Sequence, residues 1–547
     1  MPFGIIEAKH GEQAPGTVAL DEVAIRSGLV TGATKLGKGK NSNIILEPQP
    51  SDDPNDPLNW RQARKHIILL QLLLGVIIVP NVPIPMLNSG LVQMAIELHR
   101  PVSDMTKLTG YLLLASGSFG VFVSALAHKY GKRPLFVLGS VLSLIGCIVG
   151  MTAQNYNTLV ATRIIQGLGL PSYEALIFSS ITDLYFVHER GVFIACVLFL
   201  QSGITNAVSI LAGLIMEHLG WRYNYYLLFP FVALQTISVI FFLPETAYRR
   251  QPSQTRSLNV PVTSDTGETV EEIADKQNES FTTTHVEISE TTGARKTFWQ
   301  DMAMYNGTFS DSSILKMILA CPAILTNVAA SYSVFVSGFI IAWFVAISLL
   351  SSIMLSAPPY GLSTASVGYL SVGPLLGCLL GSIAYAAMAD PLIKFMSRKN
   401  RGVYEPEFRI PIVLLGTLPT VSGVAAFGYC LKQGQSMYIL SFLWGFLLFG
   451  MTIVASAVSS YAVDAFANYS VEIFIMNILF KNFLFYGVSN FIVEWYVKDG
   501  GNVFYTMAGV SAGLCLTSVP MYMFGKQYRR FWARHDIIKI LHLDARG

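Results

Sequence analysis

Twelve separate apolar stretches of roughly 20 residues restrict the fold of this 547-residue chain more than any other feature. They run approximately over 66–87, 107–127, 135–153, 159–182, 191–214, 223–243, 321–345, 366–388, 410–430, 437–459, 471–493 and 502–524. A helix of about 20 residues crosses the hydrocarbon layer of a bilayer while satisfying its own backbone donors and acceptors. Composition points the same way. Hydrophobic residues make up 52% and charged residues 13% of the chain, against about 25% charged in soluble domains. The expected fold is an all-α membrane protein with twelve transmembrane helices.

Basic residues orient the spans. Five Lys and Arg fall in one set of loops (Arg100, Lys107, Arg222, Lys432, Lys498) and two, Arg163 and Lys481, fall inside spans, which leaves thirty of thirty-seven on the other side. Short basic loops stay cytoplasmic, and those after spans 2 and 8 carry Lys129, Lys132, Arg133 and Lys394, Arg398, Lys399, Arg401, Arg409. Both termini are therefore expected in the cytoplasm. No secretory signal is expected, since the first 65 residues lack an apolar core. The six cysteines lie in or beside apolar spans without metal or disulfide spacing, which suits packing.

A polar insert rich in Thr, Ser and Glu divides the spans six and six. The expected organisation is a loose cytoplasmic tail over 1–65, a six-helix bundle over 66–246, a disordered linker over 247–313, a second six-helix bundle over 314–525 and a cytoplasmic tail over 526–547. Two such halves joined on one side fit a secondary transporter built from parallel repeats. A channel or a membrane enzyme is the competing class.

Charges inside spans narrow the function. An ionisable residue at bilayer depth costs at least ~2.5–3.5 kcal/mol on insertion scales and marks a pathway or a paired site. Arg163 and Glu174 lie eleven residues apart in span 4, on one face of an unbroken helix and roughly 16 Å apart along it. Lys481 lies near the middle of span 11, with Asn477 one turn before it. Asn81 sits among Pro80, Pro83 and Pro85, which should break span 1 and free carbonyls to line a cavity. Gln201 and Asn206 in span 5, and Asn327 and Tyr332 in span 7, complete the candidate substrate cavity, each with helix–helix gluing as the competing role.

Taken together, DPLNW (56–60), RIIQGLGLPSYEAL (163–176), DLYFVHERG (183–191), LPETAYRR (243–250), APPYG (357–361) and NRGVYEPEFR (400–409) resemble the major facilitator superfamily. More narrowly they resemble its fungal twelve-span drug:proton antiporter branch, in the group that includes polyamine and histidinol-type transporters. The resemblance implies two six-helix bundles rocking about a central cavity, usually driven by protons. It places Arg163, Gln166 and Gly167 in the span 4 signature tied to proton coupling. It also makes the loop after span 2 a cytoplasmic latch of the pattern G-x-L-a-D-r-x-G-r-k, in which Ser124 and His128 stand for the first Gly and the Asp. The Gly-Pro of the antiporter signature is missing from span 5, where the chain reads GITNAVSILAG.

The expected cytoplasmic gate is then His128, Lys129, Gly131, Lys132 and Arg133, with Asp183, Glu189 and Arg190 after span 4 and Asp390, Arg401, Glu405, Glu407 and Arg409 around the loop after span 8. Such pairs would break and re-form as the bundles rock; simple positive-inside anchoring is the alternative. For coupling, Arg163, Gln166 and Glu174 are the candidates. With Arg163 and Lys481 set against Glu174, the cavity is expected to be net positive, which favours a neutral or anionic substrate over a polycation. The leading expectation is proton-coupled export of a drug or secondary metabolite. Uptake of a polyamine, amino alcohol or other nutrient is the alternative, and a non-transporting membrane sensor is a third reading. No Walker sequence, HExxH or nucleophile elbow is present, so neither ATP, a metal nor a cofactor is expected. The expected partners are the small-molecule substrate, protons and lipid, with no nucleic acid, for a monomer in the plasma membrane or, alternatively, the vacuolar membrane.

Overall fold

The structure of the protein is a computed structural model that describes residues 17–19, 51, 53–248, 297–310, 312–400, 403–466 and 469–540. Among these, eleven helices are long and apolar enough to cross a membrane. They are α1 Gln62–Asn81, α2 Val102–Tyr130, α3 Arg133–Met151, α5 Cys196–His218, α6 Arg222–Phe242, α7 Val328–Ser356, α8 Thr364–Lys399, α9 Pro406–Lys432, α10 Met437–Ala465, α11 Ser470–Asp499 and α12 Asn502–Arg534. The stretch expected as span 4, α4, is present as three consecutive helices, Tyr156–Gly169, Pro171–Glu174 and Leu176–Leu184.

The break in α4 has a local cause. Pro171 has no N–H to continue the ladder from Gly167, and Ala175 stays in the α region but is stretched to φ −101°. The glycines before the break allow a close crossing: a Cβ on Gly169 would lie 2.6 Å from the Gly139 carbonyl oxygen of α3. The hydrogen-bond ladder between Arg163 and Glu174 is therefore interrupted at Leu170, whose dihedrals stay α-helical. Other boundaries also move. Span 7, expected over 321–345, starts at Val328 after a separate short helix, Ile314–Ala323. The start is set by Asn327, whose side chain accepts hydrogen bonds from the N–H groups of Ala329 (3.0 Å) and Ala330 (3.2 Å), satisfying donors that every helix start leaves open.

Residues α1–α6 and α7–α12 form two halves that meet along two seams, α2 against α11 and α5 against α8. The seams are close because small residues line them; a Cβ on Gly213 of α5 would lie 2.9 Å from the Thr364 carbonyl oxygen of α8. The described piece of the amino-terminal tail, β1 (Val18–Ala19), pairs antiparallel with β2 (Val403–Tyr404). Ser51 and Asp53 meet the Tyr248 hydroxyl at 3.3 and 3.0 Å. These contacts gather the described ends of the chain and the linker at one end of the bundle, called the termini end below.

Segments expected to be loose are folded where they are described. In DPLNW, Asp56 is fully buried and accepts from the Leu58 N–H at 3.0 Å, while the Lys65 ammonium donates to the Leu58 carbonyl at 3.0 Å. Linker residues 297–310 lie on the first half, with Asp301 paired to Arg64 at 2.7 Å. The α12 helix runs to Arg534, well past the boundary at 525 expected from hydropathy.

Candidate functional site

Two helices lose regular geometry at the same depth as the break in α4. Residues 77–81 of α1 and 200–204 of α5 each form a π turn, a geometry that recurs at functional sites. In α1 the cause is Pro80, and the Val82 N–H reaches back five residues to the Ile77 carbonyl at 3.0 Å. The two turns meet: Asn81 Nδ2 donates to the Leu200 carbonyl at 2.9 Å. Beside them, Gln201 Nε2 donates to the Glu174 carbonyl at 3.3 Å, and Asn206 Nδ2 bonds the Ser202 carbonyl at 2.8 Å.

At this level the Glu174 carboxylate of α4 is ion-paired with the Lys481 ammonium of α11. Ser116 of α2 donates its hydroxyl to the second carboxylate oxygen at 3.4 Å and accepts from Asn482 Nδ2 at 3.3 Å. A polar chain thus crosses the α2–α11 seam. The partners are unequally covered, with side-chain exposures of 7% for Glu174 and 21% for Lys481. Among ion pairs between described residues, this one joins a helix of the first half to a helix of the second, and the others do not.

Arg163 is fully buried. Its Nη1 donates to the Pro83 carbonyl at 2.6 Å, a group freed by the break after α1, and lies 3.4 Å from Gln166 Oε1. The guanidinium carbon sits 6.0 Å from the centre of the Tyr225 ring. Nε and Nη2 of Arg163 and Nε2 of Gln166 have no partner among the described residues. The expected net-positive inventory is located by the pairing: Glu174 offsets Lys481, and the residual positive charge is that of Arg163.

Further hydrogen bonds between the halves lie at the end opposite the termini. Ser352 donates to the Ser89 carbonyl at 3.1 Å, Asn88 Nδ2 to the Ser348 hydroxyl at 3.3 Å, and Thr364 to Gln93 at 3.2 Å. The Ala365 N–H, at a helix start of α8, donates to the Glu217 carboxylate of α5 at 2.6 Å.

A sequence profile of the Major Facilitator Superfamily matches residues 69–480. The chain belongs to the major facilitator superfamily. It is similar to an uncharacterized MFS-type transporter of Schizosaccharomyces pombe, 23% identical over 96% of this chain and 94% of that one. It is also similar to Protein HOL1 of Saccharomyces cerevisiae, 22% identical over 98% of each chain, and to the efflux pump radE of Floropilus chiversii, 24% identical over 82% of this chain and 78% of that one. Among solved structures, the peptide transporter POT with sulfate aligns at a TM-score of 0.53 and 14% identity, covering 84% of this chain and 95% of that one. This likeness extends to the fold.

Several expected cavity residues have partners within one half of this facilitator fold. The Tyr332 hydroxyl meets Ser518 of α12 at 2.7 Å, and Asn327 is the cap of α7. Asn477 lines a cavity of about 10 Å³ between α7, α10 and α11, room for one water. Its Oδ1 has no partner among the described residues.

The expected gate groups also pair within halves. In the first half Lys132 is paired with Asp183, and the N–H groups of Lys132 and Arg133 both donate to the Glu245 carboxylate at 3.0 Å. Arg133 donates to the Leu243 and Ile240 carbonyls, each at 2.7 Å. Gly131 turns there at φ +96° with Glu245 in the space a side chain would need. Lys129 bonds the linker through its carbonyl, which accepts from Phe309 at 2.9 Å. Glu189 lies 3.5 Å from Gln62, and His128 occupies the last turn of α2. In the second half Arg409 pairs with Asp464 at 2.6 Å, and Arg529 bonds both Glu405 (2.8 Å) and Glu407 (2.7 Å). Asp390 is exposed, with no ion pair among the described residues. Arg401 and the Arg190 side chain lie outside the described residues.

Sequence reasoning missed Ser116, Glu245, Asp464 and Arg529. Glu245 stands in the quoted LPETAYRR stretch, and Asp464 is an acid just inside the end of a span. Both were visible as acids at helix ends, where basic loop residues need partners. Ser116 carried no signal of its own.

Proposed function

We propose that the protein is a proton-coupled secondary active transporter of a small organic molecule, working by alternating access as a monomer in the plasma membrane. In this reading the broken α4 is the twelfth span, and both termini are cytoplasmic. The carrying observation is the Glu174–Lys481 pair. A carrier must let its halves separate and rejoin, and this pair ties them together beside two π turns and a broken helix. A proton on Glu174 cancels its charge and releases Lys481, so protonation loosens the seam. The gate pairs at the termini end keep each half rigid while it moves, because each is internal to one half.

Export in exchange for protons is the second reading. It is favoured by the names of relatives: the efflux pump radE and the antiporter QDR3 of Candida albicans.

Flux into proteoliposomes, driven by a pH gradient imposed in either direction with a chemically diverse panel of solutes, tests the proposal. Glu174→Gln should abolish the dependence of net flux on the gradient while substrate exchange persists. Gradient dependence left intact in that variant would sink the reading.

A further inference from the structure

The group proposed to take the proton and a group able to hold a ligand are two members of one ion pair. We propose that the substrate is an organic monoanion that takes Lys481 from Glu174 as Glu174 takes a proton, so that anion and proton cross together. This rests on the carrier reading above and adds to it a substrate class and a sign of coupling.

Access favours Lys481 as the ligand's contact. Its side chain is three times as exposed as that of Glu174, at 21% against 7%. When the ammonium turns to a ligand, Glu174 keeps one partner that can donate, the Ser116 hydroxyl at 3.4 Å. A buried carboxylate left with one long hydrogen bond is costly, and a proton removes the cost.

The charges around the pair point in the same direction. No charged residue lies within residues 67–96 (α1 and the segment after it), 108–127 of α2, 134–151 of α3, or 193–216 (α5 and the residues just before it). On α11 Lys481 is alone between Glu472 and Glu494, and on α4 the other charges are Arg163 and Asp183, the latter at the termini end. The titratable groups that remain on these stretches, Tyr111, Cys147, Tyr156, Tyr173, Cys196 and Tyr486, are neutral in their ordinary forms. So are Tyr332 on α7 and Tyr461 on α10, helices that pack against α11, and Asp464 of α10 is held by Arg409 at the termini end. With the pair intact the deep charge is that of Arg163. Adding one anion and one proton leaves it unchanged, whereas adding a cation raises it further in a low-dielectric region.

The face of α11 that carries Lys481 describes the rest of the ligand. Phe474, Asn477 and Lys481 are spaced three and four residues apart and share that face. The Phe474 ring stacks on Phe178 of α4 at 5.1 Å across the halves. Asn477 Oδ1 is an acceptor without a partner among the described residues. A ring-bearing anion matches the ammonium and the Phe474 ring, while the Asn477 acceptor opens onto the one-water cavity between α7, α10 and α11. Because the proton frees the ammonium that holds the anion, each raises the affinity for the other, as linkage requires. Acid outside then drives the anion inward.

Three permanently charged or neutral probes of one ring size test this on the full-length protein: benzenesulfonate, benzenesulfonamide and benzyltrimethylammonium. Binding is followed by thermal stabilisation between pH 5 and 8, where the probes keep their charge. Benzenesulfonate should bind best, its affinity rising by up to ~10-fold per unit fall in pH where the single proton is taken. Glu174→Gln should bind it tightly without pH dependence, and Glu174→Gln with Lys481→Met, a neutral site that retains its volume, should not bind it. Benzenesulfonate binding that ignores pH in the wild type, is absent from Glu174→Gln, or is matched by the other two probes overturns the proposal. If gradient-driven flux is still lost in Glu174→Gln, the carrier reading survives that failure. If flux keeps its gradient dependence, both fall.

Discussion

In the first half, Lys132 at the start of α3 is pinned to Asp183 at the end of α4; in the second, Arg409 at the start of α9 is pinned to Asp464 at the end of α10. Glu245, three residues past the sixth helix of the first half, then reaches the start of α3, and Arg529 near the end of the sixth helix of the second half reaches the start of α9. The plan repeats with its charges reversed. Glu245 takes two backbone N–H groups, whereas Arg529 takes two side-chain carboxylates, Glu405 and Glu407. A latch on backbone groups tolerates a changed loop side chain. A latch on buried carboxylates does not.

The largest consequence falls on the second half. Arg529 is fully buried, as are Glu405 and Glu407, and breaking a buried pair from one side costs ~3–5 kcal/mol because the partners stay behind charged. Arg529→Met should lower the thermal stability of the detergent-solubilised protein by that order, and a loss below about 1 kcal/mol would erase the contrast with the first half. Acid should find the same weak point. Burial alone would raise the Glu405 carboxyl, but Lys526, Arg529 and Thr17 outweigh it and hold it below its ordinary 4.5. A depressed carboxyl contributes stability that is complete above the unfolded value and lost as pH falls through the lower folded value. Melting temperature should therefore drop as pH falls below about 4.5, and this acid-sensitive part should shrink in Arg529→Met.

A smaller effect is expected at Glu245. Its carboxylate satisfies N–H groups at the start of α3, which no intrahelical carbonyl can reach, and it sits at the positive end of the helix dipole. The donors are backbone groups that water can serve when the carboxylate is gone, so no charge is stranded. Glu245→Ala should cost about 2 kcal/mol and Glu245→Gln about half of that, read from the same melts. If Glu245→Ala proves as damaging as Arg529→Met, the two latches are equivalent and the distinction fails.

The repeating apolar stretches were legible because a bilayer demands a length and a composition that side chains cannot disguise. What eluded sequence reading depended on groups distant along the chain or on polar residues with two possible uses. Glu174 and Lys481 are 307 residues apart, and nothing local to either names the other. Asn327 interrupts an apolar run, and such an Asn suits a cavity wall as well as a helix cap until backbone angles separate the two. Arg529 lay beyond the drop in hydropathy at the end of the last span, yet α12 continues as a helix with Arg529 turned inward. The charges inside spans and their net sign could be counted from the sequence, but which cation stays unpaired could not, because pairing is fixed only in three dimensions.

His128 offers the finest probe of the comparison. It stands where the family pattern carries an acid, in the last turn of α2, three residues before Gly131. The carboxylate reaching this turn comes instead from Glu245. His128→Asp in the otherwise unchanged protein adds a negative charge at the negative end of the α2 dipole and near an existing carboxylate, so it should alter stability by no more than about 0.5 kcal/mol, unfavourably. In Glu245→Ala the same change should regain roughly 1 kcal/mol by meeting the freed amides, a coupling that a double-mutant cycle isolates. Stabilisation of the unchanged protein by His128→Asp would mean that Glu245 leaves this latch incomplete, and the tolerance attributed to the first half would be lost with it.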